Sequence, residues 1–498
     1  MGSVRKITYG RGGRDILEES PMYGEWRREF EERGSVHVRI KEETDEETLK
    51  AIGVTGMQRI GRGASPAEKK RFFASRVAEM ARENRAFRHH MDACVHCGLC
   101  IDKCPEYLGT RDPTNSPVGR ADLVRRIYRR LNKASDGLLG RDADDKDLAR
   151  FLEEVDLDKI WTYYYQCTEC RRCSVYCPMG IDQGEITRAV RQIFVEMGMI
   201  PEFNARTIRG VYETGNNMYI KKEAAQNVLD FVLDDMRQET GRDFRAAVDA
   251  EKADALLLPS STDFFSNIGT LKGEIAVMDG LGLDWTLDSR ALEVANFGLF
   301  EDEAHLRYIG DNYVNAALRR RVKMVVFGEC GHGWRAFKNY VAPRLEAMGI
   351  QAISITQLTA WALRKGRLRV DKKVDAVVTY HDPCNLARAG DLIEEPRFVL
   401  RSVVKELRER VHNKEKTLCC GAGGGLLTDE LMPLRVWAGW PSVYDSLRTG
   451  AQYMVAPCSI DKAQFPVVIQ YHRAPIKFKG VSDFVYAAMY GLDVDKIA

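Results

Sequence analysis

The chain has 498 residues, and no stretch in it approaches the roughly 18 consecutive apolar residues of a membrane-spanning helix. No direct membrane span is therefore expected. Nor is there an excess of charge of one sign: 74 Lys and Arg stand against 72 Asp and Glu, a formal net charge of +2. That balance leaves no bulk field to draw in nucleic acid or an anionic membrane surface. Met1 to Gly13 is basic and glycine-rich and lacks the apolar segment of a secretory signal. These absences predict a cytoplasmic chain. With 45% hydrophobic and 29% charged residues it has the composition of an ordinary globular protein with several cores.

Cysteine is what the chain has in abundance. Thirteen are present, and in a reducing compartment an odd set of thiols is not a disulfide framework. Eight lie between Cys94 and Cys177, and five between Cys330 and Cys458. Cys94, Cys97, Cys100 and Cys104 form C-x2-C-x2-C-x3-C followed by Pro105, and Cys167, Cys170, Cys173 and Cys177 repeat the spacing before Pro178. Three closely spaced thiolates of such a run hold one [4Fe-4S] cluster and the fourth crosses to the other. The expected ligand sets are Cys94, Cys97, Cys100 with Cys177, and Cys167, Cys170, Cys173 with Cys104. Zinc sites pair C-x-x-C knuckles instead. A cubane held by four thiolates has no open position for a substrate, so two of them make an electron wire.

Between Cys104 and Cys167 lie 62 residues, too many for a compact ferredoxin. They read as helical: Leu123, Ile127, Tyr128 and Leu131 recur at helical spacing, then Leu148, Phe151, Leu152 and Val155 before Trp161. The region resembles the helical ferredoxin type of quinone-linked iron–sulfur subunits. Arg120, Arg125, Arg126, Arg129 and Arg130 give one helix a basic side, expected to be solvated. Ser65-Pro66-Ala67-Glu68 is a capping box that starts a helix carrying Phe72, Phe73, Val77, Met80 and Phe87. Upstream, Val36 to Ile40 reads as a strand.

Cys330, Cys384, Cys419, Cys420 and Cys458 each follow a short apolar run, and helical segments such as Trp334 to Met348 alternate with these runs. The pattern predicts α/β units, whose strand ends gather ligands. Convergence of these thiols at one place would make a third metal centre. Gly421, Gly423, Gly424 and Gly425 would let backbone and substrate approach it; no nucleotide-loop pattern accompanies them. His332 and His381 flank two of the cysteines and are candidate proton donors, with Glu329, Asp382 and Asp461 weaker ones. Trp334 reads as core.

His381 to Asp461 resembles the cysteine-rich CCG domain of heterodisulfide reductases, with a lone Cys384, then Cys419-Cys420-Gly421, then Cys458. The intervals are 35 positions from Cys384 to Cys419 and 38 from Cys420 to Cys458. Asp461 stands where the signature has its last cysteine. Looking backward for a second copy, Ala255 to Pro259 leads into Ser260-Ser261-Thr262, Ala295-Asn296-Phe297-Gly298 follows, and Cys330 lies 34 positions beyond Asn296. This reads as a degenerate first module whose Cys330 could cross a pseudo-twofold axis and replace the ligand missing at Asp461.

The whole chain resembles heterodisulfide reductase D-like and DsrK-like iron–sulfur proteins. The fold expected is α+β multidomain: an N-terminal extension (1–64), an all-α helical ferredoxin domain with two cubanes (65–200), a helical linker (201–250), a degenerate CCG module (251–370) and an intact one (371–498). The resemblance implies a third [4Fe-4S] cluster, noncubane or a modified cubane, and catalysis at Cys384, Cys419, Cys420, Cys458 and Cys330 with His332 and His381. It implies a membrane cytochrome b partner (DsrM-like) exchanging electrons with menaquinol, and a small DsrC-like sulfur carrier whose disulfide or trisulfide is reduced. It also implies a peripheral location on the inner face of the cell membrane. The alternative is an electron adapter between a flavin dehydrogenase of glycolate, lactate or glycerol-3-phosphate type and quinone; no flavin fingerprint lies in this chain.

Overall fold

A computed structural model describes residues 38–40, 44–132 and 145–497. The strand expected at Val36 to Ile40 falls partly outside them, and residues 38–40 are not in a strand. The first half is helical. Ser65 opens the helix Pro66–Glu83: its hydroxyl accepts from the Glu68 amide and the Glu68 carboxylate accepts from the Ser65 amide. The helices Arg85–Asp92, Pro117–Leu131, Leu157–Tyr165 and Gln183–Glu196 pack with it. Phe73, Val77, Phe87, Val124, Ile127, Trp161 and Phe194 form the core between them. Each such side chain taken from water contributes about 2 kcal/mol. Leu426, Leu434 and Ala438 from the far end of the chain complete this core, so the helical half and the last module are welded together by apolar burial.

The second half holds two parallel sheets. The first contains β1 (Ala247–Val248), β2 (Ala255–Leu258), β3 (Trp285–Leu287), β4 (Met324–Phe327) and β5 (Gln351–Ser354), in the order β1-β3-β2-β4-β5. The second contains β6 (Val374–Tyr380), β7 (Val404–Arg408), β8 (Tyr453–Val455) and β9 (Lys477–Lys479), in the order β7-β6-β8-β9. All their pairings are parallel, as expected of strands joined by crossover helices. Apart from β1, the two sheets have the same strand order. Leu256, Leu257 and Leu258 in β2 and Val325, Val326 and Phe327 in β4 are buried on both faces. The helix expected over Trp334 to Met348 is broken into Gly331–Ala336, a widened turn Phe337–Val341 and Ala342–Ala347. Pro343 lies at the start of the last piece, where its ring cannot continue a regular α-helix.

Candidate functional site

Both four-cysteine runs wrap by the same backbone device. In the first, His96 and Gly98 flank Cys97 with positive φ; in the second, Glu169 and Arg171 flank Cys170 likewise. Alternating handedness curls three successive sulfurs toward one point, at a cost of about 1 kcal/mol for each non-glycine residue. Cys94, Cys97, Cys100 and Cys177 line one pocket, which Cys173 also lines. Cys100 has Cys94 and Cys177 as charge neighbours, and burial pushes its thiol up to about 11. Cys97 is exposed, with Val95, Leu99 and Met179 exposed beside it. The pocket and its ligand neighbours fit the cross-paired set for the first cluster.

Cys104, Cys167, Cys170 and Cys173 are all buried. Cys173 neighbours Cys170, Cys167 and Cys100, and Cys104 neighbours Cys173, so these four lie together beside the first pocket. Burial holds the thiols of Cys104 and Cys173 far above their ordinary range, so they ionise only against a positive centre such as cluster iron. Among the described residues no three His, Cys, Asp or Glu side chains meet at the spacing of a single metal ion. The pocket and the sulfur neighbours carry the fit to a polynuclear group instead. Arg120 and Arg125, expected on a solvated face, are buried: Arg120 Nη2 lies 3.5 Å from Cys104 Sγ, and Arg125 Nε donates to the Met91 carbonyl. Arg126 and Arg129 of the same helix are exposed and Arg130 is half-buried, so only part of that basic side turns inward.

The third group assembles from both modules. Cys330 and Cys458 each cap a helix after β4 and β8, with nearly the same backbone: φ −146°, ψ 121° and φ −151°, ψ 123°. Their side chains are in contact, and this hydrogen bond together with burial drives the Cys458 thiol far up. The Gly331 amide also points to Cys458 Sγ. Cys384 opens the helix Cys384–Ala389 beyond β6 and is partly exposed. Cys419 and Cys420 do not sit at a strand end; they lie in the loop after the turn Lys414–Lys416, well past β7. Cys420 contacts Cys419 and has Asp461 and Cys384 as charge neighbours. Asp461, at the family's cysteine position, touches Cys420 and Cys458, and burial raises its carboxyl well above the ordinary carboxylate range.

The two histidines differ. Arg410 Nη1 donates to His381 Nδ1 at 2.7 Å, and Nε2 lies 3.4 Å from Asp461 Oδ2. Burial and the Arg410 charge hold His381 neutral, so Nε2 carries its proton. His332 Nδ1 is 3.5 Å from Cys330 Sγ, but its ring packs on Phe297 and Phe300. Nε2 has no hydrogen-bond partner among the described residues, and burial lowers the imidazole to about 4. Glu329 is taken up by Lys462 and Ser482, and Asp382 by Arg397. Trp334 is core, donating to the Gly390 carbonyl at 3.0 Å.

The wire and the third group touch. Cys170 is hydrogen-bonded to Cys419, a contact that with burial raises its thiol far above the ordinary range. The glycine loop makes the approach possible. A Cβ on Gly424 would stand 2.4 Å from the Cys167 carbonyl, and one on Gly421 would stand 2.7 Å from the Gly439 amide. Gly421, Gly424 and Gly425 all have positive φ. These glycines therefore admit neighbouring protein rather than substrate. Arg191, fully buried and not singled out by the sequence pattern, donates to the carbonyls of Cys167 (2.8 Å), Gly424 (3.0 Å) and Phe300 (2.9 Å). Arg388 donates to the carbonyls of Cys170 and Thr417. A buried arginine in a mostly polar stretch leaves no periodic signal.

Comparison with known proteins fits this geometry. Residues 90–181 match a 4Fe-4S dicluster domain and residues 378–464 the cysteine-rich domain CCG. Relatives include the Hdr-like menaquinol oxidoreductase iron-sulfur subunit 2 of Archaeoglobus fulgidus, 31% identical over 95% of this chain and 94% of that protein. Others are the D-type subunit of the dihydromethanophenazine:CoB--CoM heterodisulfide reductase of Methanosarcina barkeri (28% identical, 75% of this chain, 87% of that protein) and an EtfAB:quinone oxidoreductase of Syntrophomonas wolfei (23%, 73% and 50%). The class is an iron–sulfur oxidoreductase that joins a dicluster domain to a CCG domain. Within it, the chain belongs to the family of heterodisulfide reductase D-like iron–sulfur subunits. No helix among the described residues is long and apolar enough to cross a membrane.

Proposed function

We propose that this chain is the electron-transferring and catalytic iron–sulfur subunit of a membrane-associated, menaquinol-linked complex. It reduces, or reversibly oxidises, a disulfide or trisulfide of a small sulfur-carrier protein of the DsrC type. A cytochrome b subunit is the electron partner, and attachment to the inner face of the membrane runs through such partners. The names of the Archaeoglobus and Methanosarcina relatives support the quinone and the sulfur sides of this reading. The observation that carries it is the convergence of Cys330, Cys384, Cys419, Cys420 and Cys458 on one place, touched by Cys170 of the wire.

When bound, clusters at the first two sites would supply one-electron transfer, and one at the third, cubane or noncubane, would supply iron able to hold a sulfur. The chain's own residues do the rest. Cys100 neighbours Cys173 and Cys170 contacts Cys419, which supports an order from the first site through the second to the third. Cys97 is exposed, so the Cys94 site is taken as the surface end where electrons enter. Cleaving one sulfur–sulfur bond to two thiols takes two electrons and two protons. Asp461 would hold one of these protons beside Cys420 and Cys458, with the neutral His381 ring positioned against it at 3.4 Å; the second proton, and the one that recharges Asp461, come from solvent on the side of the partly exposed Cys384. Cys384 is the partly exposed thiol of the group, so the carrier's sulfur approaches from its side. His332, caged by aromatic rings, serves packing.

Residues 251–370 are a degenerate first module and 371–498 the intact one; the shared strand order and the matching backbone at Cys330 and Cys458 support this division. A second reading, an electron adapter to quinone, is favoured by the Syntrophomonas relative. EPR of the oxidised, purified protein separates the two. A paramagnetic signal that develops only with the thiol-bearing carrier is the expected result, and its absence at all potentials supports the adapter.

A further inference from the structure

We propose that the hydroxyl of Thr168 donates a hydrogen bond to the Cys419 thiolate, making Thr168 a positioning residue that raises the reduction potential of the third site. The inference rests on the reading that this site holds a cluster. Thr168 belongs to the other half of the molecule: it follows Cys167 in the second four-cysteine run, 251 positions before Cys419. Its Oγ1 nonetheless lies 3.5 Å from Cys419 Sγ, in a fully buried setting. A thiolate bound to iron has no proton to give, so in the loaded protein the hydroxyl is the donor.

The residue is held in place from three sides. Its amide donates to Glu106 Oε1 at 2.9 Å, and Glu106 Oε2 lies 2.7 Å from Cys104 Sγ. Gly423 and Gly424 close on its backbone, within 3.1 and 3.0 Å of where their Cβ atoms would be. Arg191 ties the Cys167 and Gly424 carbonyls together beside it. Cys104, Glu106, Thr168 and Cys419 thus form one contact chain from a ligand of the second site to a ligand of the third. The Gly421 amide is a further donor to the same sulfur at 3.4 Å. Hydrogen bonds to cluster sulfurs favour the more negative, reduced state, and their loss lowers the potential.

The test is an EPR-monitored redox titration of the cluster-loaded full chain, with iron content measured in each protein. Thr168→Val, which keeps the shape and removes the donor, is expected to lower the third-site reduction equilibrium constant about tenfold, which is about 59 mV for one electron. Thr168→Ser is expected to stay near the parent value, and the Cys94 site, out of contact, to stay unmoved. Thr168→Ala repeats the test should the valine variant fail to load iron. An unchanged midpoint in the valine and alanine variants, or an equal shift in the serine one, overturns the proposal. A parent protein that binds only the iron of two cubanes and shows no third signal overturns the underlying reading instead.

Discussion

Apart from β1, the two parallel sheets share one strand order, yet all but one of the cysteine-bearing loops of the second have a counterpart without cysteine in the first. In the second module β6 and β8 lead to Cys384 and Cys458, and the loop after β7 brings Cys419 and Cys420 beside them. In the first, β2 leads to Ser260 and Ser261, and β4 alone still ends on a cysteine, Cys330. The two histidines show the same divergence. His381 is backed by Arg410, which in turn faces Asp445, whereas His332 sits among Phe297, Phe300 and Cys330. The fold survives because it depends on buried β-strands, which tolerate substitution if volume and pattern persist. A metal site needs particular donor atoms, whereas the loops of the first sheet pack Phe297 and Phe300 on His332 without them.

The sharpest way to break the contrast is at the double cysteine. Cys419→Ser or Cys420→Ser should lower sulfur–sulfur reduction by about 100-fold or more, while both cubane EPR signals persist; activity surviving both changes would sink the catalytic assignment. Next comes the link between the halves. Arg191→Ala removes the donor to four buried carbonyls, those of Tyr164, Cys167, Phe300 and Gly424, and should cost on the order of 3–5 kcal/mol in denaturant unfolding. A loss under about 1 kcal/mol would mean the halves are held by apolar packing alone. Cys330→Ser asks whether the first module still contributes a ligand: a fall of about 10–100-fold in activity with an altered third-site signal is expected. Unchanged spectra would leave Cys330 a packing residue.

The smallest expected effect concerns the ion network behind His381. Burial pushes the Asp445 carboxyl up, but hydrogen bonds from His412 and the charge of Arg410 outweigh it and hold the group at about 2, below its ordinary 3.8. A carboxyl depressed in the folded state contributes stability above pH 3.8, about 2 kcal/mol here, and loses it as pH falls toward 2. Asp445→Asn should flatten that stretch of the acid unfolding curve. An unaltered curve would show that the network does not stabilise the second module.

Much of the plan was legible because ligand spacing is local. Two C-x2-C-x2-C-x3-C runs, the capping box at Ser65 and the apolar runs at β2, β4, β6 and β8 are each written within a few residues. The misread parts depend on neighbours distant in the chain. Arg120 and Arg125 read as solvated because their partners, Cys104 and the Met91 carbonyl, lie 16 and 34 positions away. Gly421 and Gly424 read as clearance for substrate, since nothing nearby in sequence reveals that Gly439 and Cys167 press against them. The Cys419-Cys420 pair reads as a strand end, but the chain after β7 runs through a turn first.

Composition and spacing by themselves determined the class of chemistry: ligand-spaced thiols in a helical dicluster half and an α/β half that carries a CCG pattern. Only the tertiary structure decided that the Cys94 site faces outward, that Cys170 meets Cys419, that Cys330 meets Cys458 and that Asp461 touches both Cys420 and Cys458. The reason is physical. A thiol's capacity to bind iron is carried by the residue and its near neighbours, whereas contact between loops far apart in sequence, and the burial that sets each group's charge, exist only once the cores around them have packed.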